Sequence, residues 1–193
     1  MRHAHPTHGA SGRGLSTGAV VGAAAVGLIA GLAATVGRKA VVQGAEALAG
    51  DWFDILKAEH LMVLELFDRL EQTDETEVKK RAVLLAKIKQ ALDKHAAQEE
   101  MVVYPALRMQ DAEGGAAKLY ADHGEVKTFL YELETLAKDD PAWLSRARAF
   151  RRTLEEHIRE EEETVFPAFR ETLSEEEDAR LTKLLHKEGF KRA

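Results

Sequence analysis

The sequence has 193 residues and no cysteine. A disulfide framework and a thiolate metal site are both excluded. Any metal must therefore be held by histidine and carboxylate. Aromatic residues make up only 6 % of the chain, no stretch shows the alternation of a strand, and the composition suits a helical protein. These residues contain no glycine-rich phosphate loop, no nucleophile triad and no recognisable signalling domain. Positive charge is in deficit, 27 Lys and Arg against 33 Asp and Glu, for a net charge of −6. That balance argues against nucleic acid as a partner. The deficit is uneven. Residues 1–50 carry Arg2, Arg13, Arg38 and Lys39 against Glu46 alone, so a boundary falls near Asp51.

What the chain does have is a phrase written twice. HAAQEEMVVYPALR runs from His95 to Arg108, and HIREEEETVFPAFR from His157 to Arg170. At an offset of 62 (157 − 95) they match His95 with His157, Glu99 with Glu161, Glu100 with Glu162, and Pro105 with Pro167. An aromatic, Tyr104 or Phe166, precedes each proline. Upstream, at an offset of 63 (123 − 60), Glu59 matches Asp122 and His60 matches His123. The unit is a helix with one His, a connection, and a helix with His-x-x-x-Glu. It is a duplicated helical hairpin.

Residues 1–17 read as a disordered tail, in which His3, His5 and His8 have nothing nearby to fix a metal geometry. Residues 18–37 carry no charge and are almost all Ala, Gly and Val. Twenty such residues suffice for a helix to cross a bilayer. The pairs Gly18 and Gly22, and Gly27 and Gly31, have the G-x-x-x-G spacing that lets helices approach closely, and so offer a homo-oligomer contact. The reading is a transmembrane or membrane-associated helix. A glycine-zipper helix packed on another protein, or a targeting segment, remains open. Residues 38–50 form a linker.

From Asp51 the pattern is helical. Helix one spans about 52–71, and Thr73-Asp74 opens a second that Pro105 should end or kink. Gly114-Gly115 breaks the two hairpins apart, and a third helix covers about 116–138. Asp139-Asp140-Pro141 starts a fourth that Pro167 should stop or kink, and Ser174 caps a short last helix to about Lys187. The expected fold is all-α: an up-down-up-down four-helix bundle over 51–172, an apolar helix before it, and a short C-terminal helix within 173–193.

A bundle built by duplication carries a pseudo-two-fold axis along its core. His60, His95, His123 and His157, one from each helix, should converge there, with Glu99 and Glu161 joining them. Four imidazoles and two carboxylates buried together need a partner for their polarity, and a metal pair supplies it. These ligand types suit iron, manganese or zinc and disfavour calcium and magnesium. Six residues cannot fill two octahedral ions, so positions remain open for a small molecule. Glu100, Glu160, Glu162 and Glu163 read as a solvated helix face. Met62, Phe67, Phe129 and Phe166 read as core, and Tyr120 as a packing residue, with filling an open position or hydrogen-bonding a bound ligand as the alternatives.

The order His, His-x-x-x-Glu, His, His-x-x-x-Glu over residues 51–170 resembles the hemerythrin-like, or HHE cation-binding, domain. The resemblance implies a non-haem di-iron centre bridged by an oxide or hydroxide and by both carboxylates. His60, His95, Glu99, His123, His157 and Glu161 would be its ligands, with iron ahead of manganese or zinc. The chain departs from the oxygen-carrying hemerythrins, which have a further His where Lys127 stands. Their last carboxylate is an Asp five residues after the fourth-helix His; Glu161 comes at four and Glu162 at five. One iron should be more open as a result. The expected function is binding of oxygen or another small diatomic molecule for sensing, buffering or delivery. The alternatives are reduction of peroxide or nitric oxide, and iron handling. The protein is expected at a membrane through residues 18–37, with its bundle in the cytoplasm.

Overall fold

The structure, a computed structural model, describes residues 50–110 and 115–192. The tail, the apolar segment at 18–37 and all of the linker except Gly50 lie outside them. Among the described residues every regular element is helical, and no helix is long and apolar enough to cross a membrane.

Helix α1 (Trp52–Glu71) opens on a side-chain cap: the Asp51 carboxylate accepts from the backbone N–H of Phe53 at 3.0 Å and of Asp54 at 3.1 Å. Trp52, Leu56, His60, Val63, Phe67 and Leu70 recur every three or four residues and are buried. Helix α2 (Val78–Gln98) begins later than Thr73-Asp74. Asp74 folds back on its own chain instead, accepting from Thr76 N at 2.8 Å, a local bond that competes with helix capping. Thr73 turns inward to accept from the buried Arg81 at 2.9 Å.

The prolines do not end their helices. After α2 comes a π-helical turn (Glu99–Val103), and the chain continues as α3 (Tyr104–Gln110). After α4 (Gly115–Thr135) and α5 (Trp143–Glu160), the second copy repeats this with a π-helical turn (Glu161–Val165) and α6 (Phe166–Glu171). In an α-helix the proline ring collides with the carbonyl four residues back. Here the residue ahead of each proline bonds five residues back, Tyr104 N to Glu99 O and Phe166 N to Glu161 O. The wider turn accommodates the ring. The helix continues and its register rotates.

Helix α7 (Glu175–Arg192) is longer than the sequence suggests, at 18 residues. Ser174 and Glu177 cap it reciprocally: Ser174 N donates to the Glu177 carboxylate at 2.8 Å, and Glu177 N to Ser174 Oγ at 3.3 Å. It packs on α1 and α2, and Leu181 and Leu185 join the apolar cluster around Trp52. It also accepts from Trp52, whose indole donates to Asp178 at 2.8 Å.

The bundle is thus α1, α2–α3, α4 and α5–α6, with α7 against it. Its apolar interior divides in two. One cluster holds Phe67, Ile88, Leu133, Trp143 and Phe150, and the other holds Trp52, Leu56, Tyr104, Phe166 and Leu185. His60 lies between Leu56 of one cluster and Val63 of the other along α1. The polar residues form a belt between two dry cores.

Candidate metal centre

The six residues singled out by the repeat come together in that belt. His60 on α1, His95 on α2, His123 on α4 and His157 on α5 are each at most 4 % exposed. Glu99 and Glu161 are wholly buried and are the first residues of the two π-helical turns. They form two groups whose ligand atoms lie within 4.8 Å of one another: His60, His95, Glu99 and Glu161, and Glu99, His123, His157 and Glu161. Both carboxylates belong to both groups.

The distances show how the sharing works. Glu99 Oε1 lies 3.1 Å from His95 Nε2, and Oε2 lies 3.2 Å from His123 Nε2. Glu161 Oε2 lies 3.4 Å from His60 Nε2 and 3.4 Å from His157 Nε2. Each carboxylate spans from one hairpin to the other. His60 Nε2 and His95 Nε2 face each other at 2.9 Å.

Three of the four outer nitrogens are engaged elsewhere. His60 Nδ1 meets Glu162 at 2.8 Å, His95 Nδ1 meets Glu59 at 3.1 Å, and His123 Nδ1 meets Glu100 at 2.9 Å. A carboxylate on Nδ1 places the proton there and turns the Nε2 lone pair inward. The second-hairpin acids are the repeat partners of the first: Asp122 of Glu59, and Glu162 of Glu100. The expectation that Glu100 and Glu162 form a solvated face is corrected, because each backs a histidine of the opposite hairpin. Glu163 is exposed, and Glu160 pairs with Lys118.

Charge follows the same arrangement. Burial disfavours charge on His95, yet Glu99 and Glu59 outweigh it and hold its pKa well above the ordinary value. His60 is raised despite burial and the neighbouring His95, through Glu161 and Glu162. His123 is raised despite burial, through Glu99. Burial pushes Glu99 up, but His95 and His123 hold it well below the usual carboxylate range. The belt stabilises positive charge at its centre. Glu99 Oε1, Glu161 Oε2 and both ring nitrogens of His157 are buried without a hydrogen-bond partner. Unpartnered buried oxygen and imidazole atoms of this kind fit a cation ligated by nitrogen and oxygen.

One residue of the centre escaped the sequence reading. Tyr104 is fully buried, and its hydroxyl lies 3.0 Å from His123 Nε2. It donates to Glu161 Oε1 at 2.6 Å and approaches Glu99 Oε2 at 3.3 Å. Burial raises its pKa well above the ordinary value, and Glu99 and Glu161 add to the shift, so it stands as a neutral phenol. The signal was in the repeat: Tyr104 aligns with Phe166, and only one of the two carries a hydroxyl. Tyr120 packs edge-on against Tyr104 and donates to the Glu100 carbonyl at 3.1 Å. Lys127 points away from the centre and pairs with Glu100 at 2.8 Å. Phe67 and Phe166 are core, and Phe129 stacks on Phe150, but Met62 is 46 % exposed and is not part of the core.

The family model described as the hemerythrin HHE cation binding domain matches residues 52–169. A curated protein of Nostoc sp. named a DNA nickase is 32 % identical over 149 residues. That match takes in 77 % of this chain and 42 % of the relative, so the chain spans less than half the relative's length. A crystal structure of a hemerythrin HHE cation binding domain-containing protein from Mycobacterium kansasii superposes with a TM-score of 0.66. It is 24 % identical, and the match covers 74 % of this chain and 87 % of that one, which shows the shared fold.

Proposed function

The chain belongs to the hemerythrin HHE cation-binding domain family, and we propose that it carries a non-haem di-iron centre that binds oxygen or another small molecule. His60 and His95 would hold one ion and His123 and His157 the other, with Glu99 and Glu161 available to both. The observation that carries this reading is the membership of both carboxylates in both ligand groups. Imidazole and carboxylate suit iron, manganese or zinc, and the family resemblance puts iron first. Six protein ligands leave positions open on a pair of ions. When bound, the pair supplies those open positions and a reversible change of oxidation state.

The chain's own residues do the rest. Glu59, Glu100 and Glu162 fix the imidazole rings of His95, His123 and His60. The apolar clusters on either side would keep bulk water from the centre. Tyr104 offers a hydroxyl proton at the centre. That proton supports a second reading, an enzyme that reduces peroxide or nitric oxide, since a buried neutral phenol can act as a general acid. Iron handling is the third reading.

The relative named a nickase has more than half its length outside the match, so its name describes a longer protein than the shared segment. Residues 18–37 would hold the protein at a membrane with the bundle in the cytoplasm, and their glycine pairs would join copies of the chain. Cell fractionation of the full chain and of a form lacking 1–49 tests this; equal distribution of both would count against it.

The functional test is an optical spectrum of the iron-loaded full chain. Near-ultraviolet bands that change on adding azide and on exposure to oxygen support binding. Rapid repeated consumption of peroxide supports the enzyme instead. A spectrum indifferent to all three removes both readings.

A further inference from the structure

Three of the four imidazoles are braced from behind, and one is not. His60, His95 and His123 each have a carboxylate on Nδ1 at 2.8, 3.1 and 2.9 Å. His157 Nδ1 stands 3.5 Å from Asp122, and neither of its ring nitrogens makes a hydrogen bond although the residue is buried.

The repeat explains the difference. Asp122 occupies the place of Glu59 and is one methylene shorter. Its Oδ2, the oxygen that faces His157, is held by Lys118 at 3.0 Å. Glu59 reaches further and is itself steadied. Its Oε2 meets His95, Lys94 holds Oε1 at 2.8 Å, and the Gln98 amide, turned to donate, reaches the two oxygens at 3.1 and 3.0 Å. A second asymmetry falls on the same half. The Tyr104 hydroxyl lies beside His123 Nε2, whereas Phe166, its repeat partner, has no hydroxyl to offer.

We infer that the two metal positions are unequal: the His60–His95 position retains its ion, the His123–His157 position exchanges it, and Asp122 sets the difference as a positioning residue acting through His157. This rests on the di-metal reading above. A ligating imidazole whose other nitrogen is hydrogen-bonded is held in orientation and made more basic, and loss of that partner costs on the order of 10- to 100-fold in metal affinity. His95 has the partner and His157 lacks it. The centre therefore fills in two steps. Over an interval of metal concentration about 10- to 100-fold wide it holds one ion and gains or loses the other. A domain that behaves so reports the supply of a divalent cation, which favours the iron-handling role.

The test is a titration of the full chain, stripped of metal, with manganous ion under chelator competition, counting bound ions by native mass spectrometry. The wild type should show two constants about 10- to 100-fold apart. Asp122→Glu restores a partner for His157 and should raise the weaker constant, bringing the two together. Glu59→Asp should lower the tighter one. Melting of the metal-stripped variants provides the structural control: a merely structural role for Asp122 would shift melting and leave the ratio of constants unchanged. Equal constants in the wild type, a ratio unmoved by Asp122→Glu, or a Glu59→Asp effect on the weaker constant overturns the inference and leaves the di-metal centre standing. Failure to bind any ion, with iron as well as manganese, overturns the di-metal reading itself.

Discussion

The Tyr104 hydroxyl donates to Glu161 Oε1 at 2.6 Å, so the first hairpin supplies a proton donor to the second hairpin's shared carboxylate. Phe166, at the equivalent place, makes no such bond, and the pseudo-two-fold symmetry of the centre breaks there. Tyr104→Phe should keep the fold and strand one buried carboxylate oxygen. The metal-stripped variant should lose about 1–3 kcal/mol of stability, the usual cost of an unsatisfied buried acceptor. Denaturant melts in chelator measure this. If the reduction reading is right, peroxide turnover should also fall while iron content holds. Unchanged stability would show that the hydroxyl has no part in the centre.

Glu100 and Glu162 back His123 and His60 without touching the other ligands. Glu100→Gln and Glu162→Gln should each weaken metal binding by about 10- to 100-fold, read by chelator competition. Glu163→Gln is the control, because Glu163 is exposed one residue further on. Equal behaviour of all three would return these acids to a solvated face.

How far the sequence could be read follows from these residues. His60, His95, His123 and His157, with Glu99 and Glu161, were visible because duplication writes the ligand set twice. Glu100 and Glu162 were hidden inside runs of glutamate, where side-chain type alone does not separate a solvated acid from one backing a histidine. Tyr104 was hidden by the π-helical turn. Five residues apart on an α-helix, Glu99 and Tyr104 would diverge by roughly 140°. The wider turn, which lets each proline sit inside a continuing helix, brings both to the same centre. No 3.6-residue pattern contains that rotation.

Metal affinity should rise with pH. His95, His60 and His123 have raised pKa values because carboxylates outweigh their burial. Protons therefore stay on the metal-free centre above the ordinary histidine range of about 6.5 and must be displaced by the ion. Affinity falls as pH drops through the raised values and levels off above them. Proton release on binding, measured calorimetrically in buffers of different ionisation enthalpy, checks the sign. No release at neutral pH would contradict it.

Trp143 anchors the apolar cluster away from α7. It is fully buried, donates to the Leu133 carbonyl at 3.1 Å, and has Arg81 over its ring at 5.2 Å. Trp143→Ala should cost about 3–5 kcal/mol, seen as a lower unfolding midpoint. A loss below about 1 kcal/mol would mean that this cluster collapses around the void more fully than close packing allows.

The account turns on two ions sharing two carboxylates. Anomalous diffraction at the iron edge, from crystals of the iron-loaded chain, addresses that directly. The account predicts two peaks, one beside His60 and His95 and one beside His123 and His157, with Glu99 and Glu161 reaching both. A single peak held by all four histidines, or no peak in the belt, would contradict it.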